Sequence, residues 1–130
     1  MRTELSDYLK TISNDIVAEF PSILVLYLFG SHAVGTASPE SDVDIAVFTD
    51  GSEGAMMDLE LGLFLQQQLN RPVDVVLMRT ASAVLKYEVL RCKIRIFEKD
   101  PELRAVLEVK ALREFLDARH YQARRSHKRR

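Results

Sequence analysis

The sequence has one cysteine, a net charge close to zero and no apolar run long enough to span a membrane. Cys92 has no partner for an internal disulfide, which is typical of a reducing compartment. The net charge of −1 argues against a general nucleic-acid binder and against an acidic mimic. The longest apolar run, Ile23–Phe29, is far shorter than the roughly 20 residues of a transmembrane helix.

A secretory signal peptide is also missing, because the first residues lack its basic, apolar and small-residue regions. We therefore expect a cytoplasmic protein. Hydrophobic residues make up 47% of the 130 positions, which excludes a disordered chain. A chain of this length buries roughly two-thirds of the surface that it exposes when unfolded, so a single domain with its own core is expected.

Hydrophobic periodicity predicts alternating helices and strands. Apolar residues three and four positions apart between residues 5 and 17 predict a first helix, with Thr3 as its N-cap. Ile23–Phe29 predicts a central strand covered on both faces, followed by a loop over residues 30–41. Further elements are a strand near 43–47, a helix near 57–69, a strand at 73–78, a helix from Thr80 to about Leu90, and a strand at 93–98. Cys92 begins the alternating apolar run that leads into this last strand, and we expect it to be buried and inert.

The last predicted element is a long helix that begins at Asp100-Pro101, where the aspartate can cap free amides and proline fits the first helical position. It should reach about Ala118 or beyond. This order predicts an α/β fold: a mixed sheet of about four strands packed by helices. We expect one domain over residues 1–118, with a core at about 5–98, the helix at about 101–118, and a basic tail at 119–130.

The basic tail and the last helix each have two interpretations. The tail carries six Arg and Lys residues and no acid, which indicates contact with RNA or an acidic partner, or simply a solvated end. The helix is apolar over an arc wider than one buried stripe requires, which indicates deep packing or docking of a partner protein or second copy. The residues of that arc are Leu103, Val106, Leu107, Val109, Leu112, Phe115 and Leu116.

Paired aspartates give the first indication of chemistry. Asp42 and Asp44 are two residues apart on a predicted strand, so both side chains lie on one face. Neighbouring carboxylates repel each other, and a divalent cation is the usual way to offset that repulsion. Aspartate oxygens suit Mg²⁺ or Mn²⁺, and no histidine or cysteine cluster near them indicates zinc.

A third carboxylate, Asp74, lies in the next predicted strand. A lone acid in an apolar strand is costly unless it is paired or binds an ion. If the strand of Asp74 adjoins that of Asp42 and Asp44, three carboxylates converge and can hold two metal ions roughly 3.5–4 Å apart, as in-line phosphoryl chemistry requires. Asp74 could instead cap a turn or pair with Arg71 or Arg79.

A glycine-serine turn follows the first strand directly. Gly30 permits close backbone approach, and Ser31 offers a hydroxyl. If a short helix begins here, its free amides favour an anion, which makes a phosphate cradle beside the aspartates. Alone, a Gly-Ser turn is commonly only a turn, and a pair like Asp42 and Asp44 is often a solvated strand edge. The combination in this order is far more specific than either part.

Gly30-Ser31, a glycine four residues after that serine, and then Ser41-Asp42-Val43-Asp44 resemble the motif of the DNA polymerase β-like nucleotidyltransferases. The likeness covers about residues 5–98 and is greatest to the minimal nucleotidyltransferases, typified by MntA antitoxins. It implies that Gly30 and Ser31 hold the β- and γ-phosphates, that Asp42 and Asp44 bind metal ions, and that Asp74 completes the metal site and helps to deprotonate the attacking hydroxyl. Many relatives carry arginine where this chain has His32 and Val34, which bears on triphosphate binding.

The resemblance further implies a function: Mg²⁺- or Mn²⁺-dependent transfer of AMP from ATP to a hydroxyl, with a tyrosine of a partner HEPN-domain toxin as the acceptor and loss of toxicity as the result. Two alternatives stay open. The chain could neutralise its partner by binding alone, with a vestigial nucleotide site. It could also modify a small molecule such as an aminoglycoside, although it is short for the extra helical domain that such enzymes generally use.

Overall fold

Four strands form one mixed sheet. They are β1 (Ile23–Phe29), β2 (Val43–Thr49), β3 (Val73–Leu77) and β4 (Ile94–Glu98). Their order in the sheet is β3-β2-β1-β4, with β1 antiparallel to both β2 and β4, and β2 parallel to β3. The computed structural model describes residues 4–128, with the side chains up to Tyr121 and that of Ala123. The predicted mixed sheet of about four strands is confirmed.

Five helices surround this sheet: α1 (Glu4–Glu19), α2 (Ser31–Val34), α3 (Met57–Leu69), α4 (Ala83–Arg91) and α5 (Pro101–Lys128). Apolar side chains of α1 and α3 share one core with one face of the sheet. Those of α4 and α5 share a second core with the other face. The central strand β1 is covered on both faces, as its continuous apolar run predicts.

Polar side chains fix the ends of two helices. Asp100 Oδ1 accepts a hydrogen bond from the Glu102 backbone N–H at 2.9 Å, which confirms the predicted start of α5. The prediction that Thr80 caps α4 is wrong. Ser82 is the N-cap, and its Oγ accepts from the Leu85 N–H at 3.1 Å, because residues 77–81 still form turns. The predicted cap of α1, Thr3, lies outside the described residues.

Two further details differ from the sequence predictions. The segment expected to be mostly loop contains the short helix α2, which begins directly after Gly30. Cys92 is at the C-cap of α4 and is half-buried where a buried position was predicted. The strand predicted at 93–98 is β4, which begins one residue later, at Ile94. The last turn of α4 satisfies the Cys92 backbone N–H through Val89 O at 3.2 Å.

The long helix α5 divides its apolar residues between the core and the surface. Leu107 packs into the second core, and Phe115 stacks on Tyr87 with 3.9 Å between ring centroids. Tyr27 in β1 donates a hydrogen bond to Glu108 Oε2 at 2.6 Å, which ties α5 to the sheet. A stripe of four residues stays exposed: Val106, Val109, Leu112 and Leu116. Within residues 4–128, no helix combines the length and the apolar character needed to cross a bilayer.

Candidate active site

The three aspartates meet where β2 and β3 begin. Parallel pairing places Asp44 directly beside Asp74, and adjacent strands lie about 4.8 Å apart. Asp42 lies two residues before Asp44, immediately ahead of β2. The structure therefore brings together the three acidic residues that the sequence analysis singled out.

The exposure of these aspartates differs from what their sequence context implies. Asp74 lies in an apolar strand, and we expected its burial to be costly. It is exposed, because β3 is an edge strand with β2 as its only neighbour among the described strands. Asp42 is exposed too, whereas Asp44 is half-buried. Two of the three carboxylates are thus free to rotate, and the third is held against the protein.

Gly30 allows the turn after β1 to lie against Asp44. Its backbone has φ 74° and ψ −153°, a region that essentially only glycine occupies. A Cβ atom on Gly30 would overlap Oδ2 of Asp44. Any other residue here would therefore meet both backbone strain and a direct clash. The glycine-serine turn and the aspartate pair, predicted to be neighbours, are in contact.

The short helix α2 leads the chain away from this contact. Gly30 O accepts hydrogen bonds from the N–H groups of Ala33 and Val34, at 3.0 and 3.2 Å, which closes the first turn. Ala33 is buried in the first core. Gly35 ends the helix in the left-handed conformation, with φ 82°. Ser31, the first residue of α2, is half-buried at the same edge of the sheet.

His32 makes a contact that the sequence pattern does not predict. Its Nε2 lies 3.0 Å from the backbone oxygen of Ser41, so the ring links α2 to the residue before Asp42. The hydrogen bond makes His32 a brace for the segment that carries the aspartates. Its position also lets its positive charge, when protonated, act on Asp44. The sequence signal was only its place in the motif, where many relatives have arginine.

The raised pKa of Asp44 reflects the unfavourable electrostatics of the cluster. Burial is the largest cause that raises its pKa above the ordinary value, and the negative charges of Asp74 and Asp42 add to it. His32 acts in the opposite direction but does not cancel them. No described ion pair joins Arg71 or Arg79 to these aspartates. Arg79 pairs with Glu53 instead, at 2.6 Å. The cluster therefore holds excess negative charge.

A hard divalent cation fits this set of ligands. Three carboxylates from two adjacent strands supply oxygen donors, and their raised electrostatic energy favours an added positive charge. Within residues 4–128, no three His, Cys, Asp or Glu side chains are already closed into a metal cage. The exposed Asp42 and Asp74 would therefore have to turn toward the ion, which their freedom permits.

Comparison with known proteins relates this arrangement to one family. The family model described as "Polymerase beta, Nucleotidyltransferase" matches residues 11–102, which include the whole site. Protein adenylyltransferase MntA of Shewanella oneidensis strain MR-1 is 36% identical over 88 residues. That match covers 66% of this chain and 63% of MntA, less than two-thirds of the relative's length.

Solved structures give the same result for the fold. A chain of a toxin–antitoxin crystal structure with AMP-PNP superposes with a TM-score of 0.75 at 28% identity, over 91% of this chain and 93% of that chain. A chain from the tri-AMPylated Shewanella oneidensis HEPN toxin in complex with MNT antitoxin has a TM-score of 0.71 over 94% and 93% of the two chains. At 24% identity, the latter supports the fold alone. The chain belongs to the polymerase beta nucleotidyltransferase family.

Proposed function

We propose that this protein is a metal-dependent adenylyltransferase that moves AMP from ATP to a hydroxyl of a partner protein, and that it acts as an antitoxin. The observation that carries the proposal is the meeting of three features at one sheet edge: Asp44 lies beside Asp74, Asp42 precedes it, and Gly30 packs on its carboxylate. None of the ion pairs described for residues 4–128 joins these aspartates to an Arg or Lys, as a purely structural cluster would require.

Each residue has a part in the proposed reaction. Asp42 and Asp44 hold the metal ions, and Asp74 completes the site from the neighbouring strand. Gly30 and Ser31 lie against the β- and γ-phosphates, since the contact of Gly30 with Asp44 places this turn directly beside the metal ligands. Bound Mg²⁺ or Mn²⁺ would polarise the phosphate and offset the charge that develops there.

The bond changes follow from this placement. The acceptor oxygen bonds to the α-phosphorus of ATP, the bond from that phosphorus to the β-phosphate bridging oxygen breaks, and pyrophosphate leaves. Asp74 takes part in removing the hydroxyl proton. Asp74 is exposed on an edge strand, so a bulky acceptor can approach it from solvent. Asp44 is half-buried against the turn at Gly30 and is less accessible to such an acceptor. We assign ATP as the nucleotide substrate and AMP as the transferred group, by analogy with the adenylyltransferase relative.

The proposed acceptor is a tyrosine on a HEPN-domain toxin. The curated relative is named a protein adenylyltransferase, and similar structures contain AMP-PNP or an AMPylated HEPN toxin. The exposed apolar stripe on α5, formed by Val106, Val109, Leu112 and Leu116, gives such a partner a surface on which to dock. A protein acceptor fits better than an aminoglycoside, because the described cavity at Asp74 is an open groove with the exposed leucines Leu59 and Leu63 in its wall.

The direct test uses ATP labelled in turn at the α- and γ-phosphorus, with MgCl₂ and a co-purified HEPN-domain protein. AMP transfer labels the partner from α-labelled ATP only. Label from the γ-position would instead indicate phosphoryl transfer and reject the proposal, as would no label from either.

A double variant at the site and a control at an exposed aspartate elsewhere separate catalysis from binding. Asp42→Asn with Asp44→Asn should abolish labelling, while Asp50→Asn, which removes an exposed charge just beyond the other end of β2, should leave it unchanged. If the double variant still neutralises the toxin fully at native dose, neutralisation occurs by binding alone and the enzymatic proposal is wrong.

A further inference from the structure

The outer edge of β3 has backbone groups that nothing in the described chain uses. Two hydrogen bonds mark the ends of its ladder with β2: Val43 N–H to Pro72 O at 3.0 Å and Met78 N–H to Val47 O at 2.9 Å. In a parallel ladder, alternate residues of a strand face the same neighbour. Pro72, Asp74, Val76 and Met78 therefore face β2, and the N–H and C=O of Val73 and Val75 point away from it.

A groove runs along this edge between β3 and α3, with a volume of about 230 Å³. We call it the β3 groove. Its walls include Leu59, Gly62 and Leu63 of α3, together with Val75 and Asp74 of β3. Leu59 and Leu63 are 52% and 54% exposed, although α3 also buries Leu61 and Leu65 on its inner side. The groove thus combines unused backbone hydrogen-bonding groups with an apolar wall.

Gly62 keeps the β3 groove open. It is the buried glycine within α3, where glycine is about 1 kcal/mol less favourable than alanine. A Cβ atom here would lie 3.5 Å from Val73 O and 3.7 Å from a methyl of Val75, which are ordinary contacts. Alanine could therefore be accommodated without a clash. Its methyl group would lie between α3 and Val73 O, at the wall of the groove.

The β3 groove is continuous with the candidate active site, because Asp74 belongs to both. A chain lying along β3 would pass beside the carboxylate assigned to the acceptor hydroxyl. Asp58 lies in the same groove, so together with Asp74 the lining carries two acids and no basic residue. The occupant that these features fit is an extended peptide segment with apolar side chains and a basic flank.

We propose that the β3 groove binds an extended segment of the acceptor protein as an added strand on β3, and that this pairing delivers the acceptor hydroxyl to Asp74. Strand addition uses main-chain hydrogen bonds for affinity and alternate side chains for specificity. Val73 and Val75 supply the main-chain groups, and Leu59 and Leu63 contact the apolar side chains. The proposal rests on the transferase function proposed above and adds how that enzyme holds its acceptor.

The first test removes one backbone donor. Val75→Pro eliminates the outward N–H but leaves the ladder with β2, since edge strands tolerate proline where the N–H faces away. Val75→Thr is the matched control, because it is β-branched and keeps the N–H. With the co-purified HEPN-domain protein as acceptor, Val75→Pro should raise the acceptor KM roughly tenfold, as expected for one or two lost hydrogen bonds. Val75→Thr should change it less than twofold.

The second test fills the groove and does not depend on whether Val75→Pro folds. Gly62→Ala should raise the thermal midpoint, because alanine favours helix, and should also raise the acceptor KM severalfold. A purely structural role for Gly62 would change stability without changing KM. Leu63→Ser should raise KM in the same way, whereas Val84→Ser, at a similarly exposed apolar residue on α4, should leave KM unchanged.

Binding of ATP with MgCl₂, measured by calorimetry, separates this proposal from the function that it builds on. Wild type that neither binds ATP nor transfers AMP would overturn the transferase function. Normal ATP binding and transfer, with an unchanged acceptor KM in both Val75→Pro and Gly62→Ala, would overturn only the β3 groove proposal. Loss of a dimer in Val75→Pro, with KM unchanged, would assign the edge to a second copy and overturn it as well.

Discussion

The two ends of β2 differ in how they stabilise negative charge. The near end, at Val43, adjoins the aspartate cluster, and the far end, at Thr49, leads to Glu53. Just beyond the far end, the Glu53 side chain is only 1% exposed and its Oε2 accepts two hydrogen bonds from Arg79, at 2.8 and 2.6 Å. A hydrogen bond from its own backbone N–H is the largest cause that lowers the pKa of Glu53, and Arg79 adds to it against the effect of burial. At the near end, burial and two neighbouring acids raise the pKa of Asp44.

This difference separates a carboxylate that the fold neutralises from one that the fold leaves electrostatically unfavourable. Glu53 has its counter-ion within the chain, so its ionised form is stabilised by folding. Asp44 has only His32 nearby as an opposing charge, and its ionised form is destabilised by folding. A protein keeps such a cluster at a cost in stability, and an external cation would remove that cost. The near end is therefore the place where function is expected.

Exchanging each carboxylate for its amide should give the largest contrast between the two ends. Asp44→Asn should lower AMP transfer on the order of 10³-fold, as loss of a group that organises developing charge does, and should raise the thermal midpoint without divalent ions. Glu53→Gln should leave transfer intact and lower the unfolding free energy by roughly 1 kcal/mol, because it weakens the two hydrogen bonds from Arg79, whose own side chain is 51% exposed. Thermal unfolding and the transfer assay on both variants check this. The same sign of stability change in both would contradict the comparison.

Glycine substitution should separate backbone strain from contact with Asp44. Gly30→Ala places a Cβ atom on the Asp44 carboxylate at a positive φ, and should cost about 1–3 kcal/mol together with most of the transfer activity. Gly51→Ala is the matched control: its φ is also positive, 91°, but nothing lies within 4 Å of the added Cβ atom. It should lose stability and keep activity. Equal loss of activity in both would show that the contact at Gly30 is unimportant.

The sequence predicted the sheet well because apolar runs, ended by Gly and Pro residues, determine where strands lie. It also predicted that Asp42, Asp44 and Asp74 meet, because side-chain alternation and a shared motif constrain their placement. It could not reveal that β3 is an edge strand. Strand order depends on tertiary pairing, and the composition of β3, Val-Asp-Val-Val-Leu, is that of an interior strand.

Other details of the site could not be predicted from the sequence, because they are single contacts that depend on local packing. The contact of His32 with Ser41 depends on how α2 folds back over the residues ahead of β2. The clash that requires glycine at position 30 depends on the rotamer of Asp44. Similarly, Ser82 and Thr80 are both good capping residues, and only the end of the preceding turn decides between them. Patterns predict elements, while packing determines these single contacts.

Divalent ions should stabilise the near end selectively. If the site binds Mg²⁺ with a Kd near 1 mM, 10 mM MgCl₂ contributes RT ln 11, about 1.4 kcal/mol, which raises the thermal midpoint of a domain this size by roughly 5 °C. Asp44→Asn should lose most of that shift, and Glu53→Gln should keep it. Chelation with EDTA should return wild type to its starting value. A shift of the same size in all three proteins would indicate a nonspecific ion effect.

The pH dependence of stability gives the smallest effect and tests the charge argument without any ion. The folded pKa of Asp44 is above its ordinary value, so between the two values the folded state binds more protons than the unfolded state. The destabilising contribution of Asp44 is therefore present at neutral pH and is relieved as the pH falls through the raised pKa. Glu53 acts with the opposite sign, because its pKa is lowered: its contribution is lost as the pH falls.

Subtracting the unfolding free energy of Asp44→Asn from that of wild type isolates Asp44 from the other titrating groups. In EDTA, this difference should be negative at pH 7 and move toward zero as the pH falls toward the unfolded pKa of aspartate. In saturating Mg²⁺ the bound ion favours the carboxylate, so the difference should become positive at pH 7 and decrease on acidification. A difference that does not change sign when Mg²⁺ replaces EDTA would mean that Asp44 is not the residue that holds the ion.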